Sequence, residues 1–385
     1  EEAEPVKETW KKLKAAPVAL LFFAFLFGFM ILDMMWPKRE YSELENRKLQ
    51  QVPAFSWSAL FSNQWTADYG LYIQDQFAFR DSWIDLKSRA EYFLGKTENN
   101  EVIYGDDDMM FTKFYSLERY GDTWLRNAQA VEQFAARHPG KVSFMLAPSA
   151  SLIYEDNLPA NLPLADEAAY LDQIFAAVPS AEVYDLRELF TQHKDEYIFY
   201  RTDHHWTTHG AWLAYSEFCA RNGLTPFDTE AHEKVEIEDF YGTSYSKSRL
   251  WNAVSDTLTY YPLDNSMEIV VPGENSAASA DGTMYNLSAL EKRDKYSAFL
   301  WGNNGYSEIE GDGEGSILVV KDSYGNSFAP FLTANYAKVG VVDFRYRKAN
   351  LEDLMEQYDQ VLILYNFQSF YKDDSVRCLN LNLAQ

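Results

Sequence analysis

The sequence predicts an α/β domain, a mostly parallel sheet flanked by helices, carried behind one membrane-spanning helix. Three observations lead there. The run PVALLFFAFLFGFMILDMMW fills positions 17–36, and Asp33 is its only charge; about 20 apolar residues cross the hydrocarbon core of a bilayer as a helix. From about residue 100, short continuous apolar runs alternate with stretches of helical periodicity, the pattern of strands covered on both faces and joined by helices. The chain, at 385 residues, is also long enough to enclose a sizeable core.

In chain order, residues 1–16 read as a short cytoplasmic tail with Lys7, Lys11, Lys12 and Lys14. Residues 17–36 are the anchor: the run is apolar all round, and it lacks the short h-region and small-residue cleavage site of a secretory signal. Lysines and arginines flank it nearly equally, but a long trailing domain crosses largely regardless of its own charges. The bulk of the chain is therefore expected outside the cytoplasm. Residues 37–98 form a connector and a helical neck, in which DSWIDLKSRAEYFL places Trp83, Leu86, Ala90 and Phe93 at helical spacing before Gly95.

The domain proper is expected over 99–385. Strands are predicted at 142–148, 181–186, 317–322, 337–344 and 360–366, and helices at 122–137, 165–177, 208–222, 324–335 and 350–358. Residues 225–315 read as an insertion: GENSAASADG and EGDGEGS are loop-like and surround an expected hairpin, TLTYYPLDNSMEIVV.

Composition narrows function. A formal charge of -24, with no clustered Lys/Arg face, argues against nucleic acid as a partner. The 26 tyrosines suit sugar surfaces as well as ordinary cores. Two cysteines, Cys219 and Cys378, exclude a disulfide scaffold and a four-cysteine zinc site, and leave one bridge or two thiols open.

The chemistry concentrates in two stretches. YRTDHHWT, residues 200–207, holds two of the six histidines between an expected strand, EYIFY, and a helix capped by Thr207 or Thr208. On extended backbone Asp203 and His205 share a face and His204 points away. That geometry is poor for chelation, no further ligand set completes it, and no metal is expected. It suits a carboxylate that orients a general base. SILVVKDSYGNSFAPF puts Ser323 at the carboxyl end of a strand and the start of a helix, where open α/β sheets bind ligands and free N–H groups face an oxyanion. Ser149 in LAPSAS also follows a strand and is read as lining the cleft; Ser244 and Ser246 lie in a tyrosine-rich loop with no strand before them.

TDHHWT resembles the signature of the DHHW protein family, and its Asp-x-His is similar to that of the alginate O-acetyltransferases, both SGNH-hydrolase-like. VVKDSYGNSFAPFL resembles that family's nucleophile block, and YSELENRKL, LAPSASLIYEDNLP and VLILYN match in style. Asp203 and His205 precede Ser323, as in the permuted branch that acetylates polysaccharides. The resemblance implies an SGNH-hydrolase-like (flavodoxin-like) fold, with Ser323 as nucleophile, His205 as general base and Asp203 as its partner. The Ser323 N–H and one of Asn303, Asn304 or Asn366 would face the oxyanion. It also implies no cofactor, a membrane-bound O-acyltransferase as acyl donor and a polysaccharide acceptor. The resulting expectation is a single-pass, extracytoplasmic O-acyltransferase. The alternatives are a carbohydrate esterase on the same triad, or a non-catalytic glycan-binding or scaffold subunit.

Overall fold

The computed structural model describes residues 16–115, 120–270, 277–347 and 351–381. The tail expected over 1–16 lies almost wholly outside the described residues. Two compact units divide the chain, Glu1–Ala90 and Glu91–Gln385.

In the first unit, helix α1 (Pro17–Met35) starts with its proline in the first turn, where a missing N–H costs nothing. Its mean hydropathy is 2.4 and none of it is buried, so it is long and apolar enough to cross a membrane. The only charge of the apolar run is used inside the unit: Asp33 Oδ1 accepts the Ala78 N–H at 2.7 Å. Helices α2 (Gln64–Gln76) and α3 (Arg80–Phe93) follow.

The second unit is built on an eight-stranded sheet. Helix α4 (Thr123–Arg137) leads into β1 (Val142–Ala147) and β2 (Glu182–Asp185). Helix α5 (Thr208–Asn222) leads to a separate antiparallel pair, β3 (Val235–Phe240) and β4 (Asp256–Tyr260). Then come β5 (Ser266–Ile269), β6 (Ala277–Thr283), β7 (Tyr306–Glu310), β8 (Ser316–Lys321), helix α6 (Gly325–Leu332), β9 (Lys338–Val342) and β10 (Gln360–Asn366). The spatial order is β6-β5-β7-β9-β8-β10-β1-β2.

The pairs β9–β8, β8–β10, β10–β1 and β1–β2 are parallel, whereas β5, β6 and β7 join antiparallel. The sheet is mixed, a correction to the mostly parallel sheet expected. The physical reason is that residues 266–310, read as an insertion beside the sheet, supply its antiparallel edge. The hairpin expected over TLTYYPLDNSMEIVV does not form either. Its two halves are β4, which pairs with β3, and β5, which joins the main sheet.

Why the central strands read as continuous apolar runs is now clear. Ile317 and Val319 of β8, with Leu362 and Leu364 of β10, enter one core layer, together with Trp206, Tyr215 and Phe328. Leu318, Val320, Val361 and Ile363 enter the opposite layer with Phe134, Phe144 and Phe370. Successive side chains of a strand point to opposite faces, so a strand buried on both faces needs apolar residues throughout. Cys219 and Cys378 fall in opposite layers, and no disulfide joins them. The carboxyl ends of β1, β8 and β10 share one edge, and the chemistry-bearing residues gather there.

Candidate active site

The strand expected at EYIFY is absent. Residues 198–207 instead turn back on themselves: Phe199 and Trp206 form an isolated antiparallel bridge, Thr207 N–H donates to Ile198 O at 2.9 Å, and Tyr200 N–H to His205 O at 3.2 Å. At the tip, Asp203 Oδ1 accepts the His205 N–H at 3.0 Å and lies 2.5 Å from His205 Nδ1. The Asp203–His205 pair therefore arises from a turn closed by the aspartate, not from alternation along an extended strand. The turn also corrects the position of His204, whose ring does not point away but lies 3.9 Å from that of His205. Thr207 is the cap of α5, accepting the Gly210 N–H at 3.1 Å, and Gly223 ends the helix at φ +67.

The tryptophan of the motif docks this loop onto the turn that carries Ser323. Fully buried, Trp206 donates its indole N–H to Tyr324 O at 3.1 Å and Ser327 Oγ at 3.0 Å. Tyr324 returns its hydroxyl to His204 O. The contact leaves His205 Nε2 2.7 Å from Ser323 Oγ, so Asp203, His205 and Ser323 form one hydrogen-bonded line. Asp203 and His205 are buried, while Ser323 is half-buried and reachable. The Tyr296 ring stacks on His205 at 4.0 Å, and its hydroxyl donates to Ser323 O at 3.0 Å.

Electrostatics fit a carboxylate that stays charged. Burial works against ionisation of Asp203, but the His205 and His204 rings and the Thr243 N–H outweigh it and hold the carboxyl far below the usual range. Behind the serine, Asp322 accepts the Tyr324 N–H at 2.8 Å, the Asn366 N–H at 2.9 Å and the Asn366 amide at 2.7 Å, pinning the strand-to-helix turn to β10. The Ser323 N–H has no partner among the described residues, leaving a donor free beside its own hydroxyl.

The three asparagines stand differently. Asn366 spends its amide hydrogens on Asp322 and Ser369 and caps the following helix. Asn304 donates to Leu300 O at 2.6 Å. Asn303 has its Oδ1 held by the Asn326 amide at 3.1 Å and Lys321 Nζ at 3.4 Å, which turns its own amide N–H groups away from them.

Asp203, His204 and His205 place ligand atoms within 4.8 Å of one another, close enough by distance to surround a cation. Both His205 nitrogens already face Asp203 and Ser323, and His204 Nδ1 lies 2.6 Å from Thr243 Oγ1. A cation on His205 would compete with one of those two contacts.

Two supports escaped the sequence reading. YGTSYSKS, set aside as a tyrosine-rich loop, brings Thr243 to Asp203: its N–H donates to Oδ2 at 2.6 Å and its hydroxyl at 3.1 Å. Gly242 lets the carboxylate in, because a Cβ there would sit 2.1 Å from Asp203 Oδ2. Gly242→Ala is expected to lower turnover by roughly 10²-fold, the scale of a small misplacement at a catalytic group, as measured by the rate of ester cleavage. Asp256, at the head of β4, accepts from Arg201 N–H and Thr202 N–H at 2.8 Å, from Tyr197 Oη at 2.5 Å, and from the Thr202 hydroxyl. A charged residue opening an otherwise half-apolar strand was its only sequence signal. Asp256→Ala leaves those donors unmet and is expected to cost about 3 kcal/mol of stability, read as a lower thermal midpoint.

The comparisons with known proteins bear on this geometry. The DHHW protein family matches residues 173–342, and the "SGNH hydrolase-like domain, acetyltransferase AlgX" matches residues 102–240. Residues 102–342 thus resemble DHHW and SGNH-hydrolase-like domains. Among solved structures, the chain is similar to a DHHW family protein from Eubacterium siraeum, with TM-score 0.63 and 23% identity over 75% of this chain and 98% of that one. It is also similar to PatB1 of Bacillus cereus, solved with a sulfonyl adduct, with TM-score 0.58 and 17% identity over 72% and 97%. These likenesses are of fold. The probable alginate O-acetylase AlgJ of Pseudomonas syringae is 23% identical over 206 residues, 51% of this chain, and the chain spans about half of that relative's length.

Proposed function

We propose that this chain is a membrane-anchored, extracytoplasmic O-acyltransferase that acetylates hydroxyls of a cell-surface or secreted polysaccharide through an acyl-enzyme on Ser323. The observation that carries the reading is the line Asp203–His205–Ser323, with contacts of 2.5 and 2.7 Å, at the carboxyl edge of the sheet. The relatives named for O-acetylation and acetyltransferase activity support the reaction class, and α1 supports the anchor.

The chemistry follows from the geometry. His205 Nε2 takes the proton of Ser323 as Oγ attacks the acyl carbonyl, and the Ser323 N–H donates to the oxygen that gains charge. Asp203 holds the ring and stabilises the imidazolium. When the carbonyl re-forms, the donor's leaving group departs with the proton from His205. An acceptor hydroxyl then gives its proton to His205 and attacks the same carbonyl; the bond to Ser323 breaks, and the serine regains its proton. Water in the acceptor's place gives an esterase. A membrane-bound O-acyltransferase is the proposed source of acyl groups, since α1 would hold the site beside such a partner.

The test is to give the full chain in detergent micelles 4-nitrophenyl acetate and polysaccharide extracted from the cell envelope. O-acetyl groups appearing on the polysaccharide support transfer. Free acetate alone, with the polysaccharide unmodified, contradicts it in favour of the esterase.

A further inference from the structure

Ser149, expected to line the cleft, does so as part of a buried chain of polar groups that the mechanism does not use. Glu167 is 6% exposed, and its carboxyl has only Ser149 as a direct partner among the hydrogen bonds found: Oε1 accepts the Ser149 N–H at 2.7 Å and Oε2 the Ser149 hydroxyl at 2.5 Å. Ser149 Oγ lies 2.8 Å from Ser151 Oγ. With its one hydrogen given to the carboxylate, Ser149 must accept from Ser151, which leaves the Ser151 lone pairs facing outward. Both serines border a cavity of about 30 Å³ whose other walls include Asp203, His204, Tyr324 and Asn366. That is room for one hydroxyl, not a sugar ring. Ser151 also borders a wider cavity of about 410 Å³, between Phe114, Leu152 and Leu162.

We propose that the small cavity is a subsite for one hydroxyl of the acceptor, with Ser151 Oγ as the contacting group and Glu167, acting through Ser149, as the positioning residue. The subsite rests on the acyltransferase reading above and makes it specific: the acceptor is a polyol that presents a second, non-reacting hydroxyl beside the one that attacks. The ionised end of the chain makes Ser151 a stronger acceptor than an isolated serine.

The test uses two three-carbon acceptors, glycerol and 1-propanol, offered to the full chain acetylated from 4-nitrophenyl acetate. Because both are activated by the same base, the ratio of glycerol transfer to 1-propanol transfer isolates the subsite from the triad. Counted per primary hydroxyl, the wild type is expected to prefer glycerol by roughly tenfold, and Ser151→Ala to bring the ratio near one through a higher KM for glycerol, as loss of one hydrogen bond implies. Ser151→Thr, which keeps the hydroxyl, is expected to retain most of the preference.

Glu167 has a readout of its own. Burial pushes its carboxyl up to about 7 against the Ser149 hydrogen bonds, so it is ionised above that pH and protonated below. The preference for glycerol is therefore expected to rise with pH through about 7, and to be flat in Glu167→Gln. The titratable groups around it are Arg187, with Glu155 and Asp166 around the wider cavity and Asp203, His204 and Tyr324 around the smaller. Asp203 and His204 are both held below neutral pH, Asp203 by its histidines against burial, His204 by burial and the His205 charge. A normal burst of 4-nitrophenol with equal transfer to both alcohols overturns the subsite alone. Absence of any burst overturns the acyl-enzyme reading and the subsite with it. A glycerol preference that survives Ser151→Ala assigns the contact elsewhere and overturns it too.

Discussion

Replacing Ser323 with alanine is expected to lower kcat/KM for 4-nitrophenyl acetate by about 10⁴-fold or more, with the circular dichroism spectrum and thermal midpoint little changed. The size follows from removing the group that forms the covalent bond in the proposed mechanism: what remains is the oxyanion donor and binding, and loss of a triad nucleophile elsewhere costs up to about 10⁶ in kcat. The fold should tolerate it, because Ser323 is half-buried and its hydroxyl bonds only to His205 Nε2 among the contacts found. The turn that carries it is held by others. Asp322 ties it to Asn366, Tyr296 binds its carbonyl, and Trp206 binds the next one. Loss of activity with a lost fold would instead make Ser323 structural.

Asp203→Asn is expected to cost about 10³–10⁴ in kcat while preserving the loop. An asparagine keeps the shape and, with its oxygen toward Thr243, still accepts that N–H, while its amide takes the place of the oxygen facing His205. It withdraws the negative charge that stabilises the imidazolium, and an amide hydrogen facing Nδ1 would fix the wrong tautomer. The loss should fall on kcat rather than KM, since in the proposed mechanism the carboxylate acts in the transition state and touches no substrate. A variant with near wild-type kcat would remove Asp203 from the mechanism.

Much of this was legible in the sequence, and for local reasons. The strands β1, β8 and β10 announced themselves because strands buried on both faces are apolar almost throughout, with Ser143 the one polar residue inside β1. Ser323 was legible because it follows β8 at a strand-to-helix junction; the Asp203, His205 pair was read from an extended strand that does not form, and a turn brings the two together instead. What failed was whatever depended on distant pairing. β5, β6 and β7 sit in a stretch rich in Gly, Ser and acids, whose partners lie 30 or more residues away for several pairs, as in Tyr306 with Val342. Nothing in the local pattern could say that TLTYY and SMEIV belong to different sheets. The turn at 201–205 was missed because its closure comes from the Asp203 side chain and from Asp256, more than 50 residues on. Thr243 and Gly242 were invisible for the same cause: a residue that supports another from a separate loop leaves no periodicity.

Whether Ser323 carries the acyl group is decided by treating the full chain in micelles with 4-nitrophenyl acetate, and in parallel with a sulfonyl fluoride, and locating the label by peptide mass spectrometry. Acetyl and sulfonyl groups are expected on the peptide spanning Ser323, absent in His205→Ala. A folded chain labelled on another residue, or on none, would contradict that expectation.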